Sequence, residues 1–271
     1  MSEKAIESRL IHAGLDGDPA TGAVNVPIYQ TSTYRQTELG GHPAWEYSRT
    51  GNPTRAALEK LISDLEGGDR GFAFAGMAAI GAVLMLLNAG DRVLVPGNVY
   101  GGTYRILDKV FSRFGLTYSL VDASDPAKLE KEIPGDAKML LVESPANPLM
   151  TVADLRALAG VSKRKGLLMA VDNTFLTPYY QRPIELGADI VLHSATKYLG
   201  GHSDLIAGLA VVKDPALAEK LAFIQNATGG ILQPFDSFLL IRGMKTLGVR
   251  MERHTENALY TAEMLSRHPA I

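Results

Sequence analysis

The spacing of apolar positions changes along the chain. Over the first 50 residues no period is sustained. Pro19, Pro27 and Pro43 interrupt a stretch rich in Thr and Gly, and the apolar run Asn25 to Thr31 reads as extended. A segment with no core of its own is expected to wrap over another surface. From Pro53 the pattern turns helical: Leu58, Leu61, Ile62 and Leu65 fall three and four apart, which predicts a helix from Thr54 to Leu65 stopped by Gly67-Gly68. Short apolar runs then predict strands at Phe72 to Phe74, Arg92 to Val95, Leu116 to Val121, Met139 to Glu143, Leu167 to Val171, Asp189 to His193 and Ala207 to Val212. Helical patterns fall between them at Met77 to Leu87, Tyr100 to Phe111, Asp125 to Glu132 and Val152 to Lys165. Buried strands separated by helices predict an α/β fold with a mainly parallel, doubly wound sheet and helices on both faces. Lys245 to His268 is a long amphipathic pattern with Leu247, Met251, Leu259, Met264 and Leu265 on its stripe. With little sequence after it to pack on, that stripe is expected to be partly exposed. Three units follow: an extended segment at 1–52, a large domain at 53–244, and at 245–271 a linking helix with the start of a further, shortened domain.

Composition narrows the function classes. Of 271 residues 46% are hydrophobic and 21% charged, and 27 Lys and Arg stand against 29 Asp and Glu, a net charge of −2. That balance offers no field of one sign for nucleic acid or an anionic membrane. The absence of cysteine removes disulfides, thiolate metal sites and a Cys nucleophile, and it fits a cytoplasmic location. Met1-Ser2-Glu3-Lys4 is polar and does not open a signal peptide. Gly71 to Gly90 runs 20 residues without a charge, which is transmembrane length. Its four glycines and Asn88 point instead to a strand feeding a helix buried on all sides.

In open α/β sheets ligands bind beyond the carboxyl ends of the strands. Those ends present Asp172-Asn173-Thr174, Ser194-Ala195-Thr196-Lys197, Gly76 at a helix start, and Ser144-Pro145-Ala146-Asn147-Pro148. A carboxylate, a lysine flanked by hydroxyls, a glycine-opened helix and an amide suit pyridoxal phosphate. It needs an amine for a Schiff base, an acid to keep its ring nitrogen protonated, N–H and hydroxyl donors for its phosphate, and an aromatic over its ring, here Tyr100. Singly, each residue has a plainer reading: a solvated surface lysine, a turn aspartate, a half-buried turn tyrosine. Their convergence at one sheet edge carries the signal.

The motifs Tyr47-Ser48-Arg49-Thr50-Gly51-Asn52-Pro53-Thr54, Tyr100-Gly101-Gly102-Thr103, Glu143-Ser144-Pro145-Ala146-Asn147-Pro148, Asp172-Asn173-Thr174 and His193-Ser194-Ala195-Thr196-Lys197-Tyr198-Leu199-Gly200-Gly201-His202-Ser203-Asp204 resemble the Cys/Met-metabolism family of pyridoxal-phosphate enzymes, the group of cystathionine γ-lyase and γ-synthase. The resemblance runs through all 271 residues and implies the aspartate-aminotransferase type of fold. It makes Lys197 the Schiff-base lysine, Asp172 the partner of the pyridine nitrogen, Tyr100 the stacking residue that also moves a proton at the leaving group, and Asn147 the contact of the ring hydroxyl. Gly76, Met77, Ser194 and Thr196 hold the phosphate, and Tyr47 and Arg49 reach the phosphate of a neighbouring subunit in a dimer, usually within a tetramer.

The chain departs from the family in two places. The family reads Ser-Gly-Met where this chain has Ala75-Gly76-Met77, so the turn into the phosphate helix is expected to be one residue short. The family also continues for about a hundred residues, the size of a small domain, which would carry the arginine for the substrate carboxylate. Methionine γ-lyases place a cysteine at the position of Gly102, so Gly102 favours the γ-lyase and γ-synthase types. The implied reaction is γ-elimination on cystathionine and related small sulfur amino acids. γ-Replacement on an activated homoserine, by a cystathionine γ-synthase or an O-acetylhomoserine sulfhydrylase, is the rival. Rivals from other classes are a zinc protein using His193, His202 and Asp204, and a non-catalytic cofactor-binding fragment.

Overall fold

The computed structural model describes residues 5–15, 17–36, 38, 41 and 44–271. Met1 to Lys4 and Pro43 lie outside them. A seven-stranded sheet runs in the order β1-β7-β6-β5-β4-β2-β3. The strands are β1 (Arg70–Phe74), β2 (Arg92–Pro96), β3 (Thr117–Val121), β4 (Ala137–Glu143), β5 (Leu168–Asp172), β6 (Ile190–Ser194) and β7 (Gly208–Val212). Only β7 is antiparallel to its neighbours β1 and β6, so the other six strands send their carboxyl ends to one edge.

The period of two along the strands sorts side chains between two helical layers. Phe72, Phe74, Val93 and Val95 pack with Ile80, Val83 and Leu84 of α3 (Ala78–Leu84), Leu107 of α4 (Gly101–Lys109) and Leu221 of α9 (Pro215–Thr228). On the other face Ala73, Val191, Leu209 and Val211 meet Leu58, Leu61, Ile62 and Leu65 of α2 (Pro53–Glu66), and Leu240, Ile241 and Met244 of α10 (Pro234–Met244). Leu94, Leu140 and Val142 meet Leu129 of α5 (Pro126–Glu132) and Leu155 and Leu158 of α6 (Leu155–Lys165) on that same side, and two short helices, α7 (Thr177–Tyr180) and α8 (Pro183–Leu186), lead from β5 to β6. Gly71 to Gly90 is β1, a turn and α3, with Phe72, Phe74, Val83 and Leu84 fully buried. Among the described residues no helix is long and apolar enough to cross a membrane.

Two elements differ from the pattern reading. The N-terminal stretch contains a helix, α1 (Ile6–His12), whose Leu10 is buried with α2. The following residues 17–36 lie against the chain's own α2: Thr54 Oγ1 donates to Pro27 O at 2.7 Å and accepts from Tyr29 N–H at 2.9 Å. In α11 (Leu247–Ser266), Leu247 and Met251 are fully buried rather than exposed, because the first turns join the α2–α10 core. Leu259, Met264 and Leu265 further along are exposed as expected.

Candidate active site

Strand order reverses between β2 and β4. The chain runs outward from β2 to β3 on one side, and from β4 through β5 to β6 on the other. Such a switch point opens a crevice at the carboxyl ends. A cavity of about 1040 Å³ lies there, lined by Tyr100, Asn147, Asp172, Ser194, Thr196 and Lys197 among others. A smaller cavity of about 210 Å³ shares Tyr100, Asp172, Ser194, Thr196 and Lys197 with it and adds Gly76 and Met77. Eight of the ten residues singled out from the sequence thus come together from five separate chain segments.

Asp172 ends β5 with its carboxylate open to the cavity on one side. Its Oδ1 accepts from Thr174 N–H at 3.0 Å and from the Thr174 hydroxyl at 2.5 Å. The protein packed around it raises its pKa above the ordinary carboxylate value, against the Thr174 bonds that lower it. Next to it in register, Glu143 ends β4. Glu143 is 6% exposed. Its Oε2 accepts from Tyr100 N–H at 2.9 Å and its Oε1 from Asn147 N–H at 3.2 Å. Burial, then the neighbouring Asp172, push its pKa up to about 7. Lys197 follows β6 on a turn closed by Lys197 N–H to Ser194 O at 3.1 Å, and the next turn returns Gly201 N–H to Lys197 O at 2.8 Å. Thr196 Oγ1 accepts from Ala207 N–H at 3.0 Å, which ties the lysine turn to the start of β7.

The turn before α3 brings Gly76 and Met77 to the smaller cavity. Gly76 takes φ +52°, and a Cβ there would stand 2.9 Å from Ile206 Cγ2, so any side chain there would be strained. Tyr47 and Arg49 do not line either cavity of their own chain. Arg49 lies over the Tyr47 ring at 5.3 Å, and its Nε donates to Asn226 Oδ1 at 3.3 Å. His193 is fully buried against Glu66, 2.6 Å from Nε2 to Oε1. Among the described residues no three His, Asp or Glu gather as a metal site, so His193, His202 and Asp204 do not form one.

Pattern reading missed Glu143 and Thr174 as site residues. Both carried a signal: an acid at the strand end next to Asp172, and a hydroxyl two residues after an aspartate, the spacing of a local side-chain turn. Ser203, Asp204, Asp236, Arg250 and His254 also line the larger cavity. The Arg250 guanidinium is engaged at Tyr198 O (2.6 Å), Gly243 O (2.8 Å) and Thr246 Oγ1 (3.0 Å).

A family described as Cys/Met metabolism PLP-dependent enzyme matches residues 7–271. The chain belongs to this family. It is 55% identical over 263 residues to the cystathionine gamma-lyase of Bacillus subtilis (strain 168), covering 97% of this chain and 69% of that protein. It is 53% identical over 269 residues to the cystathionine beta-lyase of Coxiella burnetii, covering 98% of this chain and 70% of that protein. A crystal structure of cystathionine gamma-lyase from Lactobacillus plantarum complexed with L-serine superposes with a TM-score of 0.96 at 52% identity, over 98% of this chain and 70% of that one.

The chain is therefore a pyridoxal-phosphate-dependent enzyme of the fold that these lyases share. Its residues fit that cofactor. Two carboxylates, Asp172 and Glu143, stand side by side at the cavity, and neither forms an ion pair with a described residue. Like charges of this kind favour a cationic guest such as a protonated ring nitrogen.

Proposed function

We propose that the chain catalyses γ-elimination on cystathionine and related small sulfur amino acids. The observation that carries this is the convergence of Lys197, Asp172, Tyr100 and Asn147 on one cavity. Pyridoxal phosphate, when bound, supplies an electron sink for carbanion chemistry. Lys197 would hold it covalently, Asp172 would keep the proton on its ring nitrogen, and Asn147 would contact its ring hydroxyl. Gly76, Met77, Ser194 and Thr196 would take the phosphate, with Tyr47 and Arg49 of a neighbouring subunit completing that end. Freed by the substrate's amine, Lys197 would be the base that takes the α-proton, a role that calls for its neutral form. A proton would also have to leave Cβ, so that its electron pair forms the Cβ–Cγ double bond as the Cγ–S bond breaks, and the Tyr100 hydroxyl would give its proton to the departing thiolate. γ-Replacement shares these early steps, so the distinction rests on what leaves and what enters.

The test sets cystathionine, homocysteine and O-acetylhomoserine side by side in a product assay. Cysteine and 2-oxobutyrate from cystathionine as the fastest products support the reading; homocysteine and pyruvate, the products of β-elimination, or faster replacement on O-acetylhomoserine with a thiol would replace it. Lys197→Ala should remove the absorbance band of covalently held cofactor and all turnover while leaving the unfolding curve of the cofactor-free chain in place. Turnover that survived in Lys197→Ala would take the lysine out of the reaction.

A further inference from the structure

We propose that Glu143 is a positioning residue whose carboxylate clamps the backbones of Tyr100 and Asn147 to the end of β4, and so sets the two walls between which the cofactor ring lies. This rests on the placing of the ring against Tyr100 and Asn147 proposed above. Tyr100 follows β2 and Asn147 follows β4, the two strands between which the sheet order reverses. Glu143 joins them across that reversal by accepting one N–H from each, at 2.9 and 3.2 Å. Tyr100 is the residue before α4, and no side chain caps that helix. Its N–H is fixed by a carboxylate instead of by a turn of its own. Both bonds are charge-assisted when Glu143 is ionised, and bonds of that kind are about twice as strong as neutral ones.

The surroundings make the clamp sensitive to pH. Glu143 faces Asp172 of β5, Tyr100, and Lys197 after β6 across the larger cavity, and Asp122 after β3 lines a cavity of about 320 Å³ that Glu143 also borders. Burial, and then the charge of Asp172, push its pKa up to about 7. The clamp therefore tightens as pH rises through neutrality. The sign for the empty fold is the opposite. A raised carboxyl pKa means that the folded chain holds the proton more tightly than the unfolded one, so ionising Glu143 costs folding stability as pH rises toward 7. A merely structural acid would not separate cofactor affinity from fold stability in this way.

The experiment titrates the cofactor-free 271-residue chain with pyridoxal phosphate from about pH 6 to about pH 8, a unit either side of that value. Affinity and the absorbance spectrum are read together with the melting temperature of the cofactor-free form. Glu143→Gln should bind about tenfold more weakly at the upper pH, the loss of one charge-assisted bond. It should bind nearly as well as the unchanged chain at the lower pH, and its cofactor-free form should melt no lower. Glu143→Asp keeps the charge but is one methylene too short to span both N–H groups, so it should be weaker at every pH. Unchanged affinity and spectrum in Glu143→Gln at the upper pH would overturn the clamp, as would wild-type affinity in Glu143→Asp. A Glu143→Gln chain that lost binding only in step with its melting temperature would show a structural acid instead. Absence of binding by the unchanged chain would overturn the site reading, and this role with it.

Discussion

Asp172 occupies a placement that costs the fold. The folded chain keeps its carboxyl pKa above the ordinary value, mainly because the protein packed around it disfavours the charged form. Ionisation of Asp172 therefore removes stability from the empty fold as pH rises from the ordinary carboxylate range through its raised value. Asp172→Asn should raise the melting temperature of the cofactor-free chain at neutral pH, with less gain in acid, and should abolish turnover. A melting temperature that fell equally at both pH values would mean that the Thr174 bonds outweigh the burial. Gly102 shows a second residue-level constraint. It is the second residue of α4, and a Cβ built on it would stand 2.3 Å from Tyr100 Cε1, with all three nearest atoms on that ring. Gly102→Ala should therefore push the tyrosine ring aside. Turnover should fall about tenfold, a modest effect for a misplaced catalytic group. The fold should change by less than about 1 kcal/mol, because alanine is the better helix former. Steady-state kinetics beside a denaturation curve checks both parts, and unaltered turnover would mean that the ring moves without consequence.

At the scale of elements, the site is held by polar bonds between strand ends and the helices behind them. Asn52 caps α2 by accepting from Thr54 and Arg55 N–H, and its amide donates to Tyr29 O at 2.8 Å. Glu66, the last residue of α2, accepts from Asn173 at 3.0 Å and pairs with His193. Asn173 directly follows Asp172, and Gln181 continues the chain of bonds to Ser144 O at 3.0 Å, beside Glu143. Glu66→Ala would leave buried donors on His193 and Asn173 unpaired, so it should cost about 3 kcal/mol of stability by chemical denaturation. A loss below 1 kcal/mol, in the range of surface changes, would show that the network relaxes. From the sequence His193 reads as a motif residue and a rival zinc ligand; its pairing with Glu66 is not legible there, because that partner lies 127 positions away. The strands were legible because burial on both faces leaves unbroken apolar runs such as Met139 to Val142. The hand of β7 was not, since a buried strand reads alike in either direction; the signal was the connection 195–207, which holds no helix to carry a parallel crossover. Two helices, α9 and α10, escaped the pattern for one reason. Both carry apolar side chains on several sides, with Phe223 exposed on α9 opposite buried Leu217 and Leu221, so no single stripe stands out.

For the whole molecule the decisive placement is that of Tyr47 and Arg49. In their own chain they sit at the surface, 40% exposed in the case of Tyr47, and line neither cavity. The segment that carries them is anchored at its far end, where Asn52 begins α2, and by Arg55, whose guanidinium donates to Ser48 O at 2.7 Å and Arg49 O at 3.0 Å. It is thus a fixed arm that presents an aromatic and a cation outward, close to α9 through Asn226. An arm of that kind suits an isologous contact, in which each copy lends the same residues to the other. If it does so, Arg49→Ala should weaken cofactor retention while Lys197 stays competent. Lys197→Ala should kill the site in its own chain while leaving its arm able to serve another. Mixed dimers of the two variants then contain one site with both defects and one with neither. Each parent dimer is defective at both sites, so recovery on mixing comes only from hybrids. Activity should return toward about half of the wild-type value per hybrid dimer, as one intact site in two requires under isologous exchange. No recovery in hybrids verified by differential tagging would place Arg49 in the service of its own chain, and the arm would need another role.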